Sequence, residues 1–186
     1  MIENFLKAKL FMPDDYKKSI FDIDFQSLKN FGISALLIDV DNTLIPYDES
    51  VPSEKLIDLF DQIKKIGFSI MIISNNHRPR IQAFSTLLGC PFVAQAKKPL
   101  KIGFNKAIKL LGIQDFNKVC VIGDQMMTDV FGAKRIGLKV ILVDAIKRNN
   151  EKWFTRMNRR IEKRMLTRIK NDAPEYFSRL KLAEKR

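Results

Sequence analysis

The 186-residue chain carries 33 Lys and Arg against 21 Asp and Glu, a formal charge of +12, with 46% hydrophobic residues and two cysteines. That length suits one domain with a sizeable core, and the composition is that of a soluble globular protein rather than a disulfide framework. The basic balance favours solubility and anionic partners and is silent on fold.

The amino terminus, "MIENFLKAKLFMPDD", lacks an apolar run long enough for a signal peptide, and no segment approaches the ~18 apolar residues of a membrane span. The expected location is cytoplasmic, with a peripheral position at the inner face of the membrane as an extension of that reading. Residues 1–30, rich in Phe and Leu, are expected as an amphipathic segment packed on the core. From residue 31 to 146, short Val- and Ile-rich runs alternate with stretches of helical period, the pattern of a parallel sheet covered by helices. Strands are predicted at 34–40, 68–74, 91–94, 118–123 and 139–143. Ser53 is placed to cap a helix ending near Ile66 and Gly67, and helices follow at 79–88, 100–111 and 127–136. Cys90 and Cys120 sit in apolar contexts and read as buried free thiols. The fold class is α/β, a central parallel sheet in right-handed crossovers, with its ligand site at the carboxyl ends of the strands.

Polar residues collect at those ends. The first predicted strand runs into Asp39-Val40-Asp41-Asn42-Thr43, the second into Ser74-Asn75-Asn76, and the fourth into Gly123-Asp124 with Asp129 five positions on. Lys97-Lys98-Pro99 follows the third. Carboxylates are seldom buried without partners, so this group calls for a cation. Mg²⁺, typically held by one or two carboxylates and phosphate oxygens, would offset the repulsion among Asp39, Asp41 and Asp124. The set suits phosphate ester chemistry: one carboxylate as nucleophile, a second as acid and base, and lysine and serine as donors to phosphoryl oxygens.

The ordered motifs "DVDNT", "IISNN", "KKP" and "GDQMMTD" resemble those of the haloacid dehalogenase (HAD) superfamily. Their details, with the amino-terminal "FMPDDYKKSIFDI", are most similar to the YqeG branch of subclass IIIA, itself similar to mitochondrial phosphatidylglycerophosphate phosphatases. The resemblance implies a Rossmann-like fold and a Mg²⁺-dependent phosphomonoesterase. It makes Asp39 the nucleophile and a metal ligand, and Asp41 the general acid and base with its carbonyl on the metal. Ser74 and Lys98 would hold the phosphoryl group, and Asp124 and Asp129 would complete the metal set, Asp129 with helix capping as its alternative role. Thr43, supporting the loop, and Asn75, Asn76, His77 and Arg78 are assigned to the substrate side, with loop hydrogen bonding the alternative for the asparagines.

Twenty-six residues separate Asp41 from Phe68, and Lys98 follows Ser74 by 24 positions, so neither interval can hold a cap domain. An uncapped site is expected to lie open to solvent, and the resemblance to capless members of the family implies macromolecular or otherwise bulky phosphoesters as substrates. From Lys147 to Arg186 there are 14 Lys or Arg and 5 Asp or Glu, which puts +9 of the +12 in this extension. Its apolar residues from Trp153 to Ile169 recur at helical spacing among arginines, a basic amphipathic helix that either docks on the core or lies on an anionic membrane. The resemblance implies a phosphorylated lipid headgroup, phosphatidylglycerophosphate, as substrate. The alternatives are a phosphatase of nucleic-acid ends or phosphoprotein, and a non-catalytic RNA- or assembly-binding protein on the same fold.

Overall fold

The computed structural model describes residues 8–147 and 153–185, with the Trp153 and Phe154 side chains outside the description. The expected packing of residues 1–7 and the expected contacts of Trp153 and Phe154 therefore lie outside the described residues. A six-stranded, wholly parallel sheet runs in the order β1-β6-β5-β2-β3-β4. Its strands are β1 Asp15–Lys17, β2 Ala35–Ile38, β3 Ser69–Ile73, β4 Phe92–Val93, β5 Val119–Gly123 and β6 Lys139–Val143. Five of them fall within the predicted runs, most trimmed by a residue or two.

The first strand was not expected. Residues 15–17 lie in the segment predicted only to cover the sheet, and "DYK" has no apolar run to announce a strand. Strand β6 offers an open edge, and Asp14 anchors the chain to it. Its backbone N–H donates to the Val140 carbonyl at 2.8 Å, and its carboxylate accepts from the Val140 N–H at 2.7 Å and from Lys134 Nζ at 2.6 Å. Tyr16 is thereby set in register beside Leu142.

Period-two alternation divides the core between the two faces of the sheet. Leu36, Ile38, Ile70, Ile72, Cys120 and Ile122 pack on one side with Phe60, Ile63 and Phe84. Leu37, Met71, Ile73, Val121 and Val140 pack on the other with Phe104, Ala107 and Ile169. The strands read as continuous hydrophobic runs because both faces are covered. Cys90 and Cys120 are buried free thiols, and burial pushes the Cys120 thiol up to about 12.

The helices are α1 Phe25–Asn30, α2 Glu54–Lys65, α3 Arg78–Leu87, α4 Lys101–Leu110, α5 Phe131–Lys134, α6 Trp153–Asp172 and α7 Pro174–Arg179. Ser53 caps α2, its hydroxyl accepting from the Leu56 N–H at 3.3 Å. The helix predicted at 127–136 is divided: Met126–Val130 form a π-helical turn that runs into α5. Only α2 with its flanking turns lies between β2 and β3, and only α3 between β3 and β4, so no cap interrupts the core. Among the described residues no helix is long and apolar enough to cross a membrane.

One contact ties α4 and α5 together. A Cβ at Gly132 would meet the Phe104 ring at 2.7 Å, so α5 lies against α4 only because position 132 has no side chain. Phe104 is fully buried. Phe104→Ala removes that ring and leaves a cavity between α4, α5 and the sheet. We expect a loss of about 3–5 kcal/mol in urea unfolding.

Candidate active site

The strand order puts β2 and β5 side by side at the centre, with β3 beyond β2, and their carboxyl ends open into one pocket of about 660 Å³. Asp39, Asp41, Ser74 and Lys98 all line it. At its floor Lys98 Nζ lies 2.8 Å from Asp39 Oδ1 and 2.6 Å from Asp129 Oδ1. All three groups are buried. Burial and crowding by Asp129, Asp124 and Asp41 hold the Asp39 carboxyl well above the usual range, against the opposing pull of Lys98. Burial likewise raises Asp129, with Lys98 again opposing. Burial alone would lower the Lys98 ammonium, but Asp129 and Asp39 overcome it and its pKa is raised, so the lysine stays charged.

The lysine is aimed by Asn75. The Asn75 carboxamide accepts from the Lys98 N–H at 2.6 Å and donates to the Lys98 carbonyl at 2.9 Å. Asn75 thus braces the loop after β4 as well as lining the pocket.

Asp41 stands at the pocket edge, held by three side chains. Its Oδ2 accepts from Ser74 Oγ at 3.3 Å and Asn76 Nδ2 at 3.1 Å, while Oδ1 accepts from Arg80 Nε at 3.3 Å and Nη2 at 3.1 Å. The Ser74 hydroxyl also accepts from the Asn76 N–H at 3.0 Å. His77 lines the pocket at the amino end of α3.

Three carboxylates fit a divalent cation. Asp39, Asp124 and Asp129 each present an oxygen within 4.8 Å of the others, and all are buried. Asp129 reaches this position through the π-helical turn, where its N–H and that of Val130 both donate to the Gln125 carbonyl, at 3.0 and 3.3 Å. Its carboxylate lies over Gly123, where any Cβ would meet Asp129 Cγ at 2.4 Å, so position 123 must be glycine. The Asp129 carboxylate also accepts from the Gln125 N–H and from Thr128 Oγ1, both at 3.2 Å.

Two of the residues assigned to the substrate side lie away from the pocket wall. Thr43 is buried and does not reach the pocket wall; its hydroxyl donates to Asp124 Oδ1 at 3.4 Å and steadies that carboxylate from behind. Arg78, at the first position of α3, turns outward over the Phe92 ring, 5.7 Å from its centroid, and lines a separate shallow groove. Arg80, two residues on, is the arginine that reaches the site. Thr155, Met157 and Asn158 of α6 also form part of the wall of this uncapped pocket.

Sequence reasoning missed what anchors that helix. Arg159 pairs with the Asp124 carboxylate and donates to the Asp124 carbonyl at 2.9 Å. Arg159 also meets Glu162 at 3.1 Å, and Glu162 accepts from the Met126 N–H at 3.2 Å. Lys185 donates to the carbonyls of Asp124 and Val143 at 3.2 and 3.0 Å. Glu162 was the available signal, a lone acid in a run of arginines and lysines.

A family model described as haloacid dehalogenase-like hydrolase matches residues 4–137. The chain is 38% identical over 162 residues to the "Probable phosphatase YqeG" of Bacillus subtilis, spanning 87% of this chain and 93% of that protein. It is 25% identical over 118 residues to a glyceraldehyde 3-phosphate phosphatase of Pyrococcus abyssi, spanning 59% of this chain and 48% of that one. Among solved structures, Bacillus subtilis YfnB, determined with magnesium bound, has a TM-score of 0.52 at 15% identity, covering 63% of this chain and 90% of its own. An uncharacterized protein from Listeria monocytogenes serotype 4b has a TM-score of 0.52 at 20% identity, covering 64% and 85%. These two structural likenesses speak to the fold alone.

The raised Asp39 carboxyl has a sign that can be measured. Below about pH 3 the group is protonated in folded and unfolded chains alike, so Asp39→Asn and wild type should unfold at similar temperatures in chelator. As pH rises, the unfolded chain releases this proton first, the folded wild type bears the cost of ionising a buried group, and the variant becomes the more stable. Each 1 kcal/mol relieved should appear as about 2–4 °C in Tm. Calorimetry across this pH range checks it; a wild type that gains on the variant as pH rises would refute the argument.

Proposed function

The chain belongs to the haloacid dehalogenase-like hydrolases, in their YqeG family, and on that premise we propose that it is a Mg²⁺-dependent phosphomonoesterase acting through an aspartyl-phosphate on Asp39. The observation that carries this reading is the Lys98 ammonium between Asp39 and Asp129 on the pocket floor, with Asp41 held at the pocket edge. The name of the Bacillus relative, a probable phosphatase, points the same way.

The residues divide the work as follows. An Asp39 oxygen attacks phosphorus and the bond to the ester oxygen breaks, while Asp41 gives its proton to the departing alcohol. Asp41 then takes a proton from water as that water attacks the phosphorus of the aspartyl-phosphate. The bond from phosphorus to Asp39 breaks, and inorganic phosphate and the free Asp39 carboxylate result. Lys98 supplies charge to the phosphoryl oxygens, and Asn75 keeps it aimed. Ser74, Asn76 and Arg80 fix the orientation of Asp41, so that its proton travels along one direction. Asp39, Asp124 and Asp129 would hold Mg²⁺, which supplies charge neutralisation that lets a phosphate dianion approach a carboxylate.

For the substrate we propose the headgroup of phosphatidylglycerophosphate, with phosphatidylglycerol as product. Five large apolar residues lie exposed at the carboxyl edge of the sheet: Val51, Leu100, Ile102, Ile146 and Met157. Met157 lines the pocket, Leu100 follows its Pro99 wall, and the Ile146 N–H donates to the carbonyl of Asn42, a further pocket residue, at 2.9 Å. Exposed Lys97, Lys101, Arg156 and Arg160 are interspersed with them. An apolar rim with basic residues supports approach to an anionic lipid surface.

Phosphate release from phosphatidylglycerophosphate in mixed micelles with Mg²⁺ tests this reading, with Asp39→Asn as blank. Wild type should turn over the lipid at least tenfold faster than a 5′-phosphorylated oligonucleotide or a sugar phosphate, and the variant should release no phosphate above background. Turnover of the oligonucleotide alone would keep the chemistry and replace the substrate.

A further inference from the structure

The core has no inserted cap, yet the first turns of α6 bring Thr155 and Asn158 to the pocket. At i and i+3 these residues share one helix face. The helix is set there firmly: Arg159 and Lys185 bind the backbone of Asp124, and Ile169 is buried in the core below. The wall and the acidic floor therefore keep a fixed relation to each other.

What this wall offers is polar and uncharged. Asn158 Nδ2 donates to Gln125 Oε1 at 3.3 Å. That bond uses one atom of each carboxamide and leaves Asn158 Oδ1 as an acceptor and Gln125 Nε2 as a donor, with the Thr155 hydroxyl alongside. Asn42 lines the same pocket, and its Oδ1 is buried without a hydrogen-bond partner among the described residues. An alkyl group satisfies none of these atoms. A hydroxyl, which both donates and accepts, matches the paired donor and acceptor.

We propose that α6 supplies a hydroxyl-reading subsite, in which Asn158, Gln125 and Thr155 select phosphate monoesters whose organic part carries a hydroxyl close to the ester oxygen. This inference rests on the phosphatase reading of the same pocket and adds the substrate class. A polyol phosphate presents this chemistry whether it is a lipid headgroup or a free small molecule.

Calorimetric titration of the Asp39→Asn protein in Mg²⁺ buffer separates binding from turnover. Glycerol 3-phosphate should bind about tenfold more tightly than propyl phosphate, which has the same length and charge and lacks the hydroxyls. Adding Asn158→Leu, or separately Thr155→Val, should shrink that preference to less than about threefold. Circular dichroism identifies a variant that fails to fold, and the other then decides. Equal binding of the two esters by the parent, or an undiminished preference in the folded variants, overturns the subsite. A wild type that releases no phosphate from any ester while the preference holds would sink the phosphatase reading and leave the subsite standing. Turnover without preference would do the reverse. Competition by phosphatidylglycerophosphate micelles against free glycerol 3-phosphate then identifies which source of the polyol phosphate the subsite favours.

Discussion

Everything at the carboxyl edge of the sheet depends on how three buried carboxylates are kept from repelling one another apart. Asp39, Asp124 and Asp129 offer oxygens within 4.8 Å. At an effective dielectric of about 20, each pair repels by about 3 kcal/mol, and the three pairs together rival the whole stability of a domain. Lys98, between two of them, and Arg159, on the third, supply the compensation the protein carries within itself. The remaining excess of negative charge fits the divalent cation proposed for this site.

The fold is arranged to make that crowding possible. Parallel strands bring four chain segments to one edge, but strand ends alone would leave Asp129 too far along its helix. The π-helical turn over Met126–Val130 widens the backbone, and Gly123 leaves the space a Cβ would take from the Asp129 carboxylate. Asn75 performs the matching task for Lys98, closing both backbone groups of that residue. Local backbone irregularities at this edge thus place charge, whereas the regular alternation of the strands builds the core.

The basic carboxyl-terminal extension has two faces with different physics. Ile169 and its neighbours Met165 and Leu166 bind the core, the docked alternative of the amphipathic pattern. Arg159, Lys185 and Glu162 form an ionic cluster around Asp124, so part of the tail's charge is turned inward onto the site. Exposed Arg156, Arg160, Lys163 and Arg164 remain on the outer side. One helix therefore joins pocket wall, electrostatic support and a basic surface.

The division between what could be read and what could not follows the range of the interactions. Short-range patterns were legible: the Val- and Ile-rich strands, the Ser53 cap, the absence of room for a cap, and the Asp39, Asp41, Ser74, Lys98, Asp124 and Asp129 motif positions, which the sheet brings to one edge. Misread were features set by partners distant in sequence. Strand β1 exists because the edge of β6 and the Asp14 carboxylate hold it, 126 residues from its anchor at Val140. Thr43 faces Asp124, 81 residues away, while Arg78 and Arg80 take different partners through their direction on α3, Arg78 over Phe92 and Arg80 on Asp41. The sequence by itself determined which chemical groups stand at the strand ends, because residue types there are a local property. Only the tertiary structure decided the shape of the pocket, because Arg159 reaches Asp124 across 35 residues through the docking of a helix whose pattern alone left its partner open.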